Sequence, residues 1–159
     1  MKTVLAAALT AAALVAVPAN AQARKSQSCP AVTQAQVESQ FQRFMDAWAS
    51  NDPSRVQALF APDATLLATV SNAERTSPDA VRDYFVSFLK NKPTAVVETS
   101  TVTIDCNTAT RAGNWKVTLT NANGERADVP ARYSFLYKWD GRDWKIQHLH
   151  SSVRPAPTN

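Results

Sequence analysis

Apolar side chains recur at helical spacing in three segments of the first half of the chain. In the first segment, Thr33 and Gln36 form a capping-box pair before the apolar residues Val37, Phe41, Phe44, Met45 and Trp48. Asp52 before Pro53, and Ser77 before Pro78, are the residue types that start helices. The pattern predicts three helices, the third with apolar side chains at Val81, Tyr84, Phe85, Phe88 and Leu89.

The period of two that is typical of β-strands dominates the second half. Strands are predicted over 64–70, 95–105, 110–120, 127–139 and 142–153. Segments rich in Asn, Asp and Gly at 121–124 and 140–141 predict the turns between the last three. Helices followed by a run of strands predict an α+β fold, with three N-terminal helices packed on a strongly curved antiparallel sheet.

Alternation along the strands divides the predicted sheet into an aromatic face and a mixed face. If every strand is regular, the aromatic face carries Trp115, Tyr133, Phe135, Tyr137, Trp144, Ile146, His148 and His150. The mixed face then carries Lys116, Arg132 and Ser134. The histidines and Arg132 therefore lie on opposite faces unless a β-bulge intervenes. We expect one face to pack on the helices and the other to meet a second subunit.

The first 21 residues have the composition of a secretory signal peptide. Lys2 precedes an apolar run from Val4 to Val17, and Ala19-Asn20-Ala21 follows as a small-residue cleavage signature. The apolar run is too short to cross a bilayer, so no membrane span is expected. We expect cleavage near Ala21 and export to the periplasm or medium. The mature chain would then have a lead over 22–32, one domain over 33–155 and a tail over 156–159.

Charge and cysteine content narrow the possible functions. The net charge is only +4 and no run of basic residues occurs, so no nucleic-acid partner is expected. Three glycines form no phosphate-binding loop, and we expect no cofactor. The two cysteines, Cys29 and Cys106, predict one disulfide in an exported chain, in preference to a redox-active or metal-binding pair.

Three segments carry a resemblance to a known superfamily. They run from Phe44 to Asp52, from Leu59 to Thr65 and from Trp144 to Ser152. The first two resemble the NTF2-like superfamily, the cone-shaped α+β fold of SnoaL-like proteins, ketosteroid isomerase and scytalone dehydratase. The third, with its His148-x-His150-Ser151-Ser152 ending, is most similar to the association (hub) domain of calcium/calmodulin-dependent protein kinase II and its small bacterial homologues. The resemblance covers residues 33–155.

The resemblance implies a homodimer or larger oligomer, and a cone that holds a small carboxylate on arginines. Of those arginines, one matches Lys116, another falls near Ser134 or Phe135, and a third falls on Ser151. The ligand-binding candidates are Lys116, Arg132, Ser134, Trp48 and Tyr84, for an unknown small organic molecule that could be an anion. The chain has no kinase domain, so kinase activity and calmodulin binding are not expected.

Two histidines and one aspartate are the candidates for catalysis. His148 and His150 lie two residues apart, which suits a general base, a metal pair or a hydrogen-bonded interface. A metal site needs three or four protein ligands, and no further His or Cys is free, so no metal is expected. Asp46 would be the base of a ketosteroid-isomerase-like enzyme. Three functions stay open: a binding module without turnover, which we favour, an isomerase or dehydratase, and a structural oligomerisation domain.

Overall fold

The computed structural model describes Cys29 and residues 31–156 of the chain. The predicted signal peptide, residues 22–28 and 30 of the lead, and residues 157–159 of the tail lie outside the described residues. The helices are α1 (Gln34–Ala49), α2 (Pro53–Gln57) and α3 (Pro78–Phe88). The strands are β1 (Phe60–Leu67), β2 (Glu74–Arg75), β3 (Thr94–Val97), β4 (Thr101–Asp105), β5 (Thr108–Thr120), β6 (Arg126–Trp139) and β7 (Trp144–Val153). No helix in this part of the chain is long and apolar enough to span a membrane.

Side-chain caps start the three helices at the predicted positions. The Thr33 hydroxyl accepts from the Gln36 amide, and the Gln36 side chain accepts from the Thr33 amide. The side chains of Asp52 and Ser77 cap α2 and α3 by accepting from backbone amides of the first helical turn. Each cap satisfies amides that have no partner within the helix. The predicted helix starts are therefore confirmed.

The sheet has the strand order β2-β1-β7-β6-β5-β3, and β4 pairs with β5 beside β3. Its pairs are antiparallel except for β1 and β7, which run parallel. The predicted α+β fold, with helices on one face of the sheet, is confirmed. The prediction of one strand over 95–105 is wrong, because the chain leaves the ladder at residues 98–100.

That break lies opposite a glycine in β5. The amides of Glu98 and Thr99 both donate to the Asn114 carbonyl, at 2.9 and 3.2 Å. A Cβ atom on Gly113 would lie 2.0 Å from the Thr99 carbonyl oxygen. Only glycine therefore allows the two backbones to approach so closely.

Aromatic side chains fill the space between the sheet and the helices. Phe44 on α1 lies 5.3 Å from Phe135 between ring centroids, and Trp48 lies 5.0 Å from Phe88 on α3. Trp115, Tyr133 and Tyr137 are also almost fully buried here. The aromatic face is thus the face that packs on the helices, and we call the opposite side of the sheet the outer face.

A β-bulge in β7 reverses which side chains point inward. Leu136 pairs with His148 and Tyr137 pairs with Ile146, so Gln147 has no partner on β6. Beyond it, Leu149 and Ser151 are buried, whereas His148 is half-buried and His150 is exposed. The prediction that the histidines share the aromatic face is wrong, because alternation assumes a regular strand and one extra residue inverts it.

The predicted Cys29–Cys106 disulfide is confirmed. It joins the segment before α1 to the turn between β4 and β5, with the two Cα atoms 4.6 Å apart and 77 residues apart in sequence.

Candidate ligand-binding site

The outer face brings five of the predicted site residues together. Ser134 lies opposite His150 on the neighbouring strand, and Arg132 lies between Asn114 on β5 and Ser152 on β7. The bulge makes this possible, since it moves both histidines to the side of Arg132. The expectation that these groups line the interior of the cone is not met, and their ligand-binding and catalytic roles stay predictions.

Lys116 on the outer face already has a counter-charge. Its ammonium lies 2.9 Å from Asp128, which also accepts a hydrogen bond from the Thr118 hydroxyl at 2.7 Å. The hydrogen bond from Thr118, followed in effect by that from Lys116, holds the pKa of the Asp128 carboxyl below its usual range. A ligand carboxylate at Lys116 would have to compete with this aspartate.

Trp48 and Tyr84 lie in the interior, away from the outer-face residues. Together with Trp115 and Ser151 they line a void of about 20 Å³, which has room for about one water molecule. The Tyr84 ring stacks on Phe88, and burial raises the pKa of its phenol above its usual value. The deepest part of the cone is therefore filled with aromatic side chains and has no space for an organic ligand.

A larger groove of about 460 Å³ lies between α1 and the β3 edge of the sheet. Its walls include Phe41, Met45 and Trp48 from α1, and Val97 and Arg111 from the strands. This volume is within the range of small-molecule sites. Among the predicted ligand-binding residues, Trp48 alone lines this groove. It also lines the interior void.

Arg111 is the unusual side chain of the groove. It is only 7 % exposed, its Nε donates to the Ser100 hydroxyl at 2.9 Å, and its guanidinium carbon lies 4.3 Å from the centre of the Phe41 ring. Its Nη1 has no hydrogen-bond partner among the described residues. Within the described ranges, two further buried polar atoms, Trp48 Nε1 and Tyr137 Oη, also have no hydrogen-bond partner.

Sequence reasoning missed Arg111 because a single arginine in a strand belongs to no motif. Its position in the alternating pattern of the strand could have identified it as a buried residue. Arg111 lies an even number of residues from Trp115 in a regular strand, which places it on the aromatic face. A charged residue on a buried face marks a position where a specific partner is needed.

The predicted base Asp46 lies outside the interior, as does Asp63 on β1. Asp46 is exposed on α1, where it accepts from the Gln42 side chain at 2.8 Å, and Asp63 is exposed in β1. Neither aspartate nor either histidine lines the groove or the interior void. The described part of the chain also contains no group of three His, Cys, Asp or Glu residues placed to hold a metal ion.

The chain was compared with models of protein families, with curated sequences and with solved structures. The sequence model of the calcium/calmodulin dependent protein kinase II association domain matches residues 33–155. No curated protein sequence matches the chain.

The crystal structure of a calcium/calmodulin dependent protein kinase II association domain from Xanthomonas campestris is 39% identical in sequence, with a TM-score of 0.75. The match covers 82% of this chain and 94% of that one. A dehydratase of the NTF2-like family from Streptomyces avermitilis (13% identity, 77% and 97% coverage, TM-score 0.68) shares the fold. So does a ketosteroid isomerase-like protein from Erwinia carotovora (16% identity, 77% and 96% coverage, TM-score 0.63). This chain therefore belongs to the calcium/calmodulin dependent protein kinase II association domain family, within the NTF2-like fold.

Proposed function

We propose that this chain is an exported association domain whose copies assemble through the outer face of the sheet. Each copy binds a small organic molecule in the groove beside α1 and does not turn it over. Membership of an association-domain family supports self-assembly. The signal-peptide composition of residues 1–21 and the disulfide both support export, because disulfides persist in oxidising compartments.

The outer face is the observation that carries the assembly proposal. Its central positions on β6 and β7 hold Ser134, Leu136, His148 and His150, none of which is a carboxylate, a lysine or an arginine. No described helix covers them. A surface of this kind can pack against its own copy about a two-fold axis, because no carboxylate, lysine or arginine at these positions meets its like across the axis.

Binding without turnover is supported by what lines the groove. Its walls combine apolar side chains with the polar side chains of Glu38, Gln42 and Thr94 and with the buried guanidinium of Arg111. The histidines that a general-base mechanism would use lie on the outer face instead. A positioned base within hydrogen-bond reach of the substrate is the first requirement of such a mechanism.

Light scattering on the mature chain tests the assembly through a matched pair of variants. Ser134→Arg puts charge and bulk at an exposed position in the centre of the outer face. Val86→Arg puts the same side chain at an exposed position of α3. We expect an oligomer for the wild type and Val86→Arg, and a monomer for Ser134→Arg. A monomeric wild type, or equal behaviour of the two variants with intact circular dichroism, would sink the proposal.

A further inference from the structure

We infer that His148 and His150 form a transition-metal site at the centre of the outer face, and that the same two histidines of a second copy complete it. The inference rests on the proposed function in one respect, that the copies meet through this face. It is independent of the groove beside α1 and of any ligand bound there.

The first observation is the spacing of the two imidazoles. His148 and His150 lie two residues apart in a regular part of β7, so both side chains leave the same face at backbone positions about 7 Å apart. His150 is exposed and His148 is half-buried. Two imidazoles at this spacing can lean toward each other and bind one ion between them, because a zinc–nitrogen bond is about 2 Å long.

The second observation is the bulge that precedes the pair. In a regular strand both histidines would point into the aromatic interior, out of reach of a second copy. The extra residue at Gln147 turns both of them to the outer face, while Leu149 between them fills the interior. Bulges occur where a strand must re-aim a side chain, and they are frequent beside functional sites.

The third observation is that both imidazoles remain available. The side-chain hydrogen bonds of β7 come from Lys145, Gln147 and Ser151, and none joins either imidazole to another described residue. Neither histidine takes part in an ion pair between described residues. The neutral imidazole is the commonest metal ligand in proteins and suits zinc, nickel and copper.

The surroundings of the pair suit a cation. The four residues that flank the histidines on β6 and β1 are uncharged: Leu136, Ser134, Thr65 and Leu67. No lysine or arginine among them repels a metal ion, and no carboxylate among them competes for it. Charged residues of this face lie further out, with Arg132 beyond Ser134 on β6 and Glu74 opposite Leu67 on β2.

A second copy supplies the ligands that one chain lacks. Structural zinc sites have four ligands, whereas one chain offers two imidazoles. The described residues contain no group of three His, Cys, Asp or Glu that could hold a metal ion. When a surface packs against its own copy about a two-fold axis, each of its residues occurs twice at the contact. Four imidazoles can then surround one ion, which meets the requirement that excludes a metal for the single chain.

Isothermal titration calorimetry with metal ions tests the site on the untagged mature chain, freed of metal with EDTA. We expect zinc and nickel to bind with a stoichiometry of one ion per two chains. Magnesium should give no heat, because it prefers oxygen ligands. Electron paramagnetic resonance of the copper(II) complex should show coupling to four imidazole nitrogens.

Three variants complete the test. His148→Gln and His150→Gln each remove two of the four ligands, and each should weaken zinc binding at least about hundredfold, since even the hydrogen-bond partners of metal ligands contribute about tenfold to hundredfold. Gln147→Ala is the matched control, because it changes the residue next to the pair and keeps both imidazoles. It should bind zinc as the wild type does. Zinc should also tighten the oligomer of the wild type and leave that of His150→Gln unchanged in sedimentation.

Three results would overturn the inference: no heat with zinc or nickel, one ion bound per chain, or unchanged zinc binding in both histidine variants. An oligomer in EDTA that binds no metal would remove the metal site and leave the assembly proposal intact. A monomer in the presence of zinc would remove both. If a histidine variant does not fold, the stoichiometry and the copper spectrum of the wild type still decide.

Discussion

Ser151 connects three parts of the interior through one hydroxyl group. It accepts hydrogen bonds from Thr69 and from the Trp115 indole at 3.1 Å, and it donates to the Arg132 carbonyl at 2.9 Å. The residue is 5 % exposed. A buried indole N–H that has a partner in the folded state becomes an unsatisfied donor when that partner is removed.

Ser151→Ala should therefore lower the free energy of unfolding by about 1–3 kcal/mol. Urea denaturation measures the loss. Ser152→Ala is the matched control, because Ser152 lies next to it on the half-exposed outer side of β7. Equal stability of the two variants would mean that the hydroxyl of Ser151 contributes nothing to the interior.

Arg43 and Asp143 form a bidentate ion pair between α1 and the turn before β7. Both pairs of atoms, Nη1–Oδ1 and Nη2–Oδ2, lie 3.0 Å apart. The hydrogen bond from Arg43 holds the pKa of the Asp143 carboxyl below its usual range, against a smaller opposing effect of burial. A carboxyl group whose pKa is lower in the folded chain stabilises that chain above the unfolded pKa, near 4, and loses this effect as the pH falls.

Asp143→Asn should flatten the dependence of stability on pH. The wild type loses stability as the pH falls below about 4, and the variant should lose less over the same range while being less stable at pH 7. Because the pair is partly exposed, the effect at pH 7 should be at most about 1 kcal/mol. Thermal unfolding from pH 7 to pH 2 measures it, with Asp63→Asn, at an exposed aspartate, as the control. Parallel curves for the wild type and Asp143→Asn would contradict this account.

At the scale of elements, the bulge at Gln147 determines the contents of both faces of the sheet. Before it, Trp144 and Ile146 point inward at even positions. After it, Leu149 and Ser151 point inward at odd positions. One extra residue therefore places Ser151 in the interior and both histidines on the outer face.

Deletion of Gln147 should unfold the domain or lower its melting temperature strongly. Without the extra residue, regular pairing would turn Leu149 and Ser151 outward and the histidines inward. Gln147→Ala keeps the chain length and loses only the hydrogen bond to the Asp63 carbonyl, so it should melt close to the wild type. Circular dichroism during heating compares the two. A deletion variant as stable as Gln147→Ala would show that the bulge does not set the register.

The elements that could be predicted are those specified by neighbouring residues. Thr33 with Gln36 encodes a capping box within four residues, so the start of α1 could be placed correctly. The break between β3 and β4 depends instead on Gly113 of another strand. The bulge at Gln147 depends on pairing with β6. Long-range pairing of this kind leaves no local signal in the sequence.

In the candidate site, too, some features could be predicted from neighbouring residues, whereas others depend on contacts between distant parts of the chain. Trp48 could be predicted as an interior residue because it belongs to the apolar stripe of α1. Arg132 and Ser134 are predicted ligand-binding residues, but they lie on the face opposite the helices. Alternation shows which residues share a face of the sheet, and it does not show which face packs on the helices. Arg111 could be assigned to the buried face by parity, whereas its unpaired Nη1 is visible only once the neighbouring elements are in place.

At the scale of the whole molecule, the disulfide joins the segment before the first helix to the sheet. It links the segment before α1 to the hairpin of β4 and β5, across 77 residues of chain. A cross-link over so long a loop removes much of the conformational freedom of the unfolded chain. The stabilisation therefore acts on the domain as a unit.

Replacing both Cys29 and Cys106 with alanine should lower the free energy of unfolding by about 4 kcal/mol. Urea denaturation of the variant and of the oxidised wild type measures the difference, and the wild type in reducing agent should resemble the variant. Unchanged stability on reduction would contradict this role.

Assembly of the association domain is the central claim at this scale, and the outer face is where copies should meet. Sedimentation equilibrium of the wild-type mature chain over a range of micromolar concentrations tests it most directly. We predict a mass of twice the monomer or a higher whole multiple. A monomer mass at every concentration would contradict the account.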